Sequence, residues 1–166
     1  MVSNPSLFLL TGNLIMEIKR IDLKEAHLVT GLFDRYRQFY KQQPDKALAE
    51  QFIHDRLSNN ESVIFVAIGE DNTPAGFTQL YPKYSSVSAC RNWILNDLYV
   101  DGNYRKQGIG EGLIKTAMAF AKGAGATYVQ LETAVDNYTA QSLYEAIGFE
   151  KQEPEVGYLL YKIQVG

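Results

Sequence analysis

The chain has 166 residues, of which 46% are hydrophobic and 21% are charged, and its formal net charge is −3. These values are typical of a soluble globular protein with one sizeable core. The small negative charge argues against broad nucleic-acid binding, and no apolar run approaches the ~20 residues needed to cross a bilayer. A single cysteine, Cys90, excludes an internal disulfide and fits a reducing compartment. We therefore expect a cytoplasmic protein with no nucleic-acid or membrane partner.

The first fifteen residues contain no charged side chain. Their apolar run, Leu7–Leu10, is too short for the core of a signal peptide. Alternating apolar residues from Met16 to Ile21 then indicate a strand. We expect residues 1–15 to be a loose N-terminal extension and residues 16–166 to form a single domain.

Hydrophobic periodicity and turn residues predict the remaining elements in chain order. They are helices over 23–41 and 46–57, strands over 63–68, 75–84 and 92–100, a helix over 107–122, a strand over 127–134, a helix over 139–147, and a last strand pair near Phe149 and 158–165. Several antiparallel strands followed by alternating strands and helices predict an α/β fold.

A short glycine-bearing turn, Arg105–Gly110, lies between the strand ending at Val100 and the following amphipathic helix. Such a turn exposes backbone N–H groups beside the positive end of the helix dipole, which is how helix N-termini bind phosphate. Gly108 and Gly110 carry no side chain, so a diphosphate could lie directly on the main chain. The pattern R-x-x-G-x-G is weak alone, and an ordinary strand-to-helix turn is the alternative.

Spacing excludes the rival phosphate motifs. A dinucleotide fingerprint, G-x-G-x-x-G, requires glycine where the chain has Leu113, because the next glycine, Gly112, comes one residue early. A P-loop requires Gly-Lys-Ser or Gly-Lys-Thr, and neither occurs in the sequence. An unrelated nucleotide-binding α/β domain is therefore disfavoured.

A second motif follows about thirty residues later and reads N-x-x-A-x-x-L-Y-x-x-x-G-F. Its members are Asn137, Ala140, Leu143, Tyr144, Gly148 and Phe149. Together with the Arg105 turn, in this order and separation, it resembles the Gcn5-related N-acetyltransferase (GNAT) superfamily over roughly residues 16–165. Within the superfamily, Leu95–Val100 is most similar to the diamine acetyltransferase branch.

The resemblance implies a mixed, mostly antiparallel sheet with helices on both faces, in which a bulge near Leu98–Val100 splays the fourth and fifth predicted strands apart. It also implies acetyl-CoA as co-substrate, with the pyrophosphate on the glycine turn and the pantetheine arm along the fourth strand. The residues assigned to CoA are Leu98, Tyr99, Val100, Arg105, Lys106, Gln107, Gly108, Ile109, Gly110 and Asn137. Arg105 and Lys106 could equally be solvated surface residues, and Asn137 could also serve as a helix N-cap.

Tyr144 and Asp97 are the candidate catalytic residues. A tyrosine phenol with an ordinary pKa near ~10 stays protonated at neutral pH and can donate to a departing thiolate. The alternative for Tyr144 is simple packing on its helix. Asp97 and Glu132 are acidic residues on adjacent predicted strands and are the best candidates for the base. Asp97 is preferred, although it could instead be structural or anchor a water chain. Asn96 departs from the diamine branch, which has a glutamate there, so transfer of that branch's substrate is doubtful.

The resulting hypothesis is an N-acetyltransferase that uses direct transfer in a ternary complex. The acceptor would be a small amine, a polyamine or a lysine side chain of a protein or peptide. A CoA-binding regulatory module without turnover is the alternative. We expect no metal, because His27 and His54 lack partners at ligand spacing. The apolar C-terminal strand around Tyr158–Tyr161 favours a homodimer.

Overall fold

A computed structural model describes residues 6–11, 14–153 and 161–164. The chain divides into two compact units, with the boundary between Glu132 and Thr133. Each unit is described by itself, and the single domain expected over residues 16–166 stays a prediction.

The first unit contains a six-stranded sheet whose strands lie side by side in chain order. Neighbouring strands are antiparallel except for the last pair, which is parallel. The strands are β1 (Leu7–Thr11), β2 (Leu14–Arg20), β3 (Val63–Gly69), β4 (Pro74–Ser85), β5 (Cys90–Val100) and β6 (Val129–Gln130). The predicted mixed, mostly antiparallel sheet is confirmed.

Three helices belong to this unit, and a short polar side chain caps one of them. They are α1 (His27–Phe39), α2 (Lys46–Ser58) and α3 (Ile109–Gly123), with single 3₁₀ turns at Leu23–Glu25 and Gly102–Tyr104. Asp22 accepts a hydrogen bond from the Lys24 amide and forms a capping box with Glu25 at the start of the first 3₁₀ turn. Asp45 accepts from the Leu48 amide and caps α2.

The sheet is covered on both faces. Ile64, Val66 and Ile68 of β3 join a buried cluster with residues of α1 and α2. Phe65, on the opposite face of the same strand, packs edge-on against Phe120 of α3 with ring centroids 5.8 Å apart. β3 is therefore buried on both faces, as its continuous apolar run predicts.

A β-bulge interrupts the pairing of β4 with β5. Leu80 lies opposite Leu95, and Gln79 lies opposite Asp97, so Asn96 is an extra residue without a cross-strand partner on β4. Because Gln79 and Leu80 are adjacent, their partners point to opposite faces of the sheet. The bulge thus turns Asp97 away from the face that holds Leu95.

The parallel pair β5–β6 is very short. Only Trp93 and Ile94 pair with Val129 and Gln130, which leaves Leu95–Val100 without a ladder partner on that edge within the described chain. The fourth and fifth predicted strands correspond to β5 and β6, and their short pairing is the predicted splaying. The splaying also explains why β6 is shorter than the expected strand over 127–134.

The segment before Met16 contains a strand. Leu7–Thr11 pairs antiparallel with β2, which itself begins at Leu14, two residues before the predicted start. Leu9 of this strand lies against Gly112 of α3, where the absence of a side chain lets the two elements approach. The expected loose extension therefore includes a strand of the sheet.

The second unit contains α4 (Tyr138–Ile147). The Asn137 side chain accepts a hydrogen bond from the Ala140 amide at its start, and Gly148 ends it with φ of 110°, which glycine adopts easily. Residues 149–153 and 161–164 have no regular structure. Most of the predicted last strand pair, and the Tyr158–Tyr161 dimer segment except Tyr161, lie outside the described residues.

We expect Gly76→Ala to destabilise the protein by about 1–3 kcal/mol, because overpacking against backbone forces a shift. A Cβ at Gly76 would lie 2.8 Å from the Tyr99 carbonyl oxygen and 3.3 Å from the Val100 Cα. Urea unfolding measures the loss. Gly123→Ala is the control, since its Cβ meets nothing within 4 Å, and alanine in a helix should add roughly 0.5–1 kcal/mol. Equal stability of the two variants would contradict the close approach at Gly76.

Candidate active site

The turn between β5 and α3 has the backbone of an anion site. Lys106 and Gly108 both adopt left-handed conformations, with φ of 60° and 77°. The first helical hydrogen bond of α3 runs from the Gly112 amide to the Gly108 carbonyl at 2.9 Å. The N–H groups of residues 107–111 have no recorded acceptor within the described chain. Free N–H groups in such a turn form a concave nest for a negatively charged group.

The approach to this turn is held by Asp101. Its amide donates to the Ala75 carbonyl at 2.8 Å, and its carboxylate accepts from the Asn103 amide at 3.1 Å. The other carboxylate oxygen lies 3.2 Å from Arg35 Nε of α1. Asp101 therefore joins β4, the 3₁₀ turn and α1, and fixes where the chain enters the anion site.

The two basic residues of the turn differ in their surroundings. Arg105 Nε donates to the Val100 carbonyl at 3.0 Å, and its guanidinium lies 5.8 Å from the centre of the Tyr99 ring. Arg105 thus braces the end of β5, and its remaining N–H groups stay at the exposed surface. The Lys106 side chain is also exposed. Both place positive charge beside the turn.

Leu98, Tyr99 and Val100 form an open strand edge directly before the turn. Their cross-strand partners on β4 are Thr78, Phe77 and Gly76, and the opposite edge has no described partner. An open edge of this kind pairs with an extended, peptide-like molecule. The sheet therefore brings all three predicted pantetheine residues next to the anion site.

Asp97 is buried on the face of the sheet that carries α1, with a relative exposure of 3%. Its carboxylate accepts from Gln79 Nε2 at 2.6 Å and from Asn96 Nδ2 at 3.0 Å. The Tyr36 hydroxyl of α1 also donates toward it. Burial raises the pKa of the Asp97 carboxyl above its ordinary value, and these three neutral donors only partly oppose that effect.

Gln79 and Tyr81 complete the surroundings of Asp97, and the sequence did not point to either of them. Gln79 is fully buried, and its Nε2 also donates to the Tyr81 hydroxyl at 3.1 Å. Its Oε1 has no hydrogen-bond partner within the described chain. Burial, reinforced by the Asp97 charge, raises the pKa of the Tyr36 and Tyr81 phenols. No sequence signal singled out Gln79, because it follows another polar residue, Thr78.

The other proposed acid, Glu132, lies beyond β6 in irregular structure and is exposed. The sequence predicted that Glu132 lies on a strand adjacent to that of Asp97, whereas the structure places Glu132 outside any strand. Asn96, which stands where the diamine branch has a glutamate, donates to Asp97 and orients its carboxylate. Of the acidic candidates, the structure gives only Asp97 a buried position.

In the second unit, the predicted motif forms one helix and its two ends. Tyr144 is half-buried, and its ring lies 6.0 Å from that of Phe149. Its backbone carbonyl accepts from the amides of Gly148 and Phe149 beyond the helix end. The motif positions thus shape α4 and hold the tyrosine ring, whereas contacts of Tyr144 and Asn137 with CoA stay predictions.

Two further features of residues 6–11, 14–153 and 161–164 concern metal binding and membrane insertion. No group of three or more His, Cys, Asp or Glu residues there is arranged to hold a metal ion. None of the helices in that part of the chain has the length and apolar character required to span a bilayer.

Comparison with known protein sequences identifies relatives across most of the chain. The family model described as the acetyltransferase (GNAT) family matches residues 29–149. A Bacillus subtilis protein named uncharacterized N-acetyltransferase YhfO is 43% identical over 145 residues, which are 87% of this chain and 97% of that protein. A probable acetyltransferase of Haemophilus influenzae is 30% identical over 84% of this chain and 94% of its own length.

Solved structures give the same result for the fold. A crystal structure of a probable acetyltransferase superposes with a TM-score of 0.81 at 36% identity, covering 89% of this chain and 98% of that one. The aminoglycoside N-acetyltransferase AAC(6')-Iy, solved in complex with CoA, has the same fold at 18% identity, with a TM-score of 0.72 and coverage of 96% and 99%. The match over residues 29–149 and the relative with 43% identity show that this chain is an acetyltransferase of the GNAT family.

Proposed function

We propose that the protein transfers the acetyl group of acetyl-CoA directly to a primary amine, in a ternary complex. The observation that carries the proposal is the left-handed turn at Lys106 and Gly108, whose free N–H groups adjoin the open edge of β5. An anion site beside an open strand edge suits a ligand with a diphosphate and a peptide-like arm. CoA has both, and a protein of the same fold was solved with CoA.

In the proposed reaction, Asp97 accepts a proton from the acceptor ammonium, and the free amine attacks the thioester carbonyl carbon. The new C–N bond forms as the C–S bond breaks. The carbonyl oxygen receives a hydrogen bond from a backbone N–H of the β5 edge. The acceptor nitrogen begins as an ammonium group and ends as an amide, so it loses two protons overall. One of them can reach the thiolate, and the other passes to solvent.

We assign the protonation of the leaving thiolate to Tyr144. A phenol remains protonated at neutral pH and can supply this proton as the sulfur acquires charge. Asn137 would contact CoA in addition to capping α4. Support for both roles comes from their positions in the N-x-x-A-x-x-L-Y motif of the family.

The acceptor class in this proposal is a small amine, a polyamine or a lysine side chain. A screen of such amines with acetyl-CoA and detection of free thiol tests the activity. A regulatory module would bind CoA and release no thiol with any acceptor. A homodimer and a cytoplasmic location stay predictions.

The first prediction from the proposed function concerns Gly108. Gly108→Ala should weaken CoA binding at least tenfold, because a Cβ would occupy the open space over the turn, where nothing lies within 4 Å, and because φ of 77° strains alanine by roughly 1–2 kcal/mol. The measurement is the rise in melting temperature that CoA produces in each protein.

Gly125→Ala is a matched control for this experiment. Gly125 has φ of 78° and equally open surroundings, but it follows the C-terminal end of α3. It should lose similar stability and keep the full CoA shift. If Gly108→Ala also kept that shift, the turn would not be the phosphate site.

The second prediction concerns the leaving group. Tyr144→Phe should keep CoA binding, since the ring and its contact with Phe149 survive. Its kcat should fall by about 10²–10⁴-fold, roughly 3–5 kcal/mol of barrier. Tyr138→Phe, on an exposed position of the same helix, serves as the control and should keep normal turnover. Unchanged turnover in Tyr144→Phe, with chemistry limiting the rate, would remove the phenol from the mechanism.

The third prediction uses the raised pKa of Asp97. The folded state holds a proton on this carboxyl to higher pH than the unfolded state does, so wild-type stability falls as the pH rises from the ordinary value of 3.8 through the raised value. Asp97→Asn lacks this titration. As the pH rises above about 4, its free energy of unfolding should therefore improve relative to wild type. Parallel pH profiles of the two proteins in urea unfolding would contradict the burial of an ionisable group at this position.

A further inference from the structure

The start of α3 has no side-chain cap. Gly108, at the N-cap position, makes no side-chain hydrogen bond to the first helical N–H groups. In many helices a serine, threonine, aspartate or asparagine side chain accepts from these groups and fixes the first turn. Such a side chain would occupy the donors that the proposed function assigns to the CoA diphosphate. The position of the turn must therefore be fixed by other contacts, and packing is the available one.

The first turn of α3 packs against the sheet at Gly112. The Gly112 amide donates the first helical hydrogen bond to the Gly108 carbonyl, so one helical turn separates the two glycines. A Cβ at Gly112 would lie 2.9 Å from Ile18 Cδ1 and 3.3 Å from Leu9 Cγ. Leu9 and Ile18 therefore pack directly against the helix backbone, one turn beyond the proposed diphosphate site.

Strand β1 directs Leu9 toward this contact. Leu9 pairs with Met16 of β2, which is fully buried. Successive side chains of a strand point to opposite faces of the sheet, so Phe8 and Leu10 point away from α3. These two side chains are 65% and 82% exposed. Of the three consecutive apolar residues, only Leu9 faces the helix.

The anion-binding turn thus lies between two fixed points. Asp101 fixes the entry to the turn through the Ala75 carbonyl and Arg35. Leu9 and Ile18 fix the helix that leaves it. A shift of α3 at Gly112 would move the N–H donors relative to the open edge of β5. Because the diphosphate and the arm of CoA are covalently joined, such a shift would prevent both from binding in their best positions.

We propose that Leu9 is a positioning residue for the CoA site. Acting through Gly112, it holds the first turn of α3 where the N–H groups bind the diphosphate. The inference rests on the proposed function and extends it to β1, which lies outside the residues 29–149 that match the family model. Leu9 acts on the affinity for CoA and not on the chemical step.

The test uses the full chain with Leu9→Ala. The Kd of CoA, measured by isothermal titration calorimetry, should rise about fivefold, or roughly 1 kcal/mol, because a cavity beside Gly112 lets the first turn move. The KM for acetyl-CoA should rise by a similar factor, while kcat at saturating acetyl-CoA and the KM for the amine stay within about twofold of wild type. Leu9→Met nearly conserves the volume and should restore tight CoA binding.

Two matched controls separate positioning from general stability. Leu10→Ala removes the same atoms from the neighbouring position of β1, on the exposed face. Ile53→Val removes a methyl group from a fully buried side chain of α2, so it should lower the melting temperature of the free protein. Both controls should keep the wild-type Kd of CoA. An unchanged Kd in Leu9→Ala would overturn the proposal, and so would an equal rise in Ile53→Val.

A double variant tests the route through Gly112. Gly112→Ala alone places a methyl group against Leu9 and Ile18, so it should also weaken CoA binding. When Leu9→Ala is added, the vacated space can receive this methyl group. The combined rise in Kd should then be smaller than the product of the two single rises, because residues in contact are not independent. Rises that multiply would overturn the route.

The CoA titration also separates this inference from the proposed function. If CoA binds the wild type and Leu9→Ala equally well, the inference fails and the transferase proposal is untouched. If Leu9→Ala weakens CoA binding but no amine releases thiol, the positioning role is supported and the transferase proposal fails. If CoA does not bind the wild type, both fail.

Discussion

Asn96 of β5 has no partner on β4, and this one-residue mismatch in the β4–β5 ladder determines how the rest of the first unit is arranged. In an uninterrupted strand, Trp93, Leu95 and Asp97 would share one face. Trp93 packs against Phe120 of α3, so the carboxylate would point into that apolar layer. The extra residue reverses the alternation and turns Asp97 toward α1 and Tyr36 instead.

The bulge leaves polar groups that the neighbouring strand must satisfy. The Thr78 hydroxyl, fully buried, donates to the Asp97 carbonyl at 2.8 Å. Gln79 on the same strand reaches the Asp97 side chain. Thr78 thus donates a hydrogen bond to the backbone of the bulge, and its neighbour Gln79 donates one to the Asp97 carboxylate. The bulge and the splaying of β5 from β6 occur over the same stretch, which places a buried acid and an open strand edge on the same strand.

Much of the fold could be predicted from the sequence because its signals are local. The apolar run of β3 and the glycines after β5 each act within a few residues. The family resemblance implied a bulge near Leu98–Val100, but its position at Asn96 could not be predicted, since Trp93–Leu95 is continuously apolar and its pattern does not change at the point where the alternation reverses. The strand before Met16 was missed. It pairs locally with β2, but its Leu9 packs against Gly112 of α3, a contact distant in sequence.

The candidate site divides in the same way. The turn between β5 and α3 was predictable because glycine and basic residues mark it within a few consecutive positions around Gly108. The surroundings of Asp97 were not, because Tyr36, Gln79 and Tyr81 come from two other elements, α1 and β4. Gln79 follows another polar residue, Thr78, so only its contacts in the folded protein show what its amide does.

The tie between Arg35 and Asp101 has a consequence for how such a protein can diversify. Within the described residues, it is the only hydrogen bond or ion pair recorded between α1 or α2 and the turn from Asp101 to Gly110. Within the turn, the side chains of Asp101, Arg105 and Gln107 form hydrogen bonds with nearby backbone groups and stabilise its shape. Substitutions on α1 and α2 can therefore accumulate while Arg35 is kept, and the backbone of the turn keeps its shape. One ion pair thus joins the two helices to the turn, so the sequence of the helices can change over generations without disturbing the backbone of the turn.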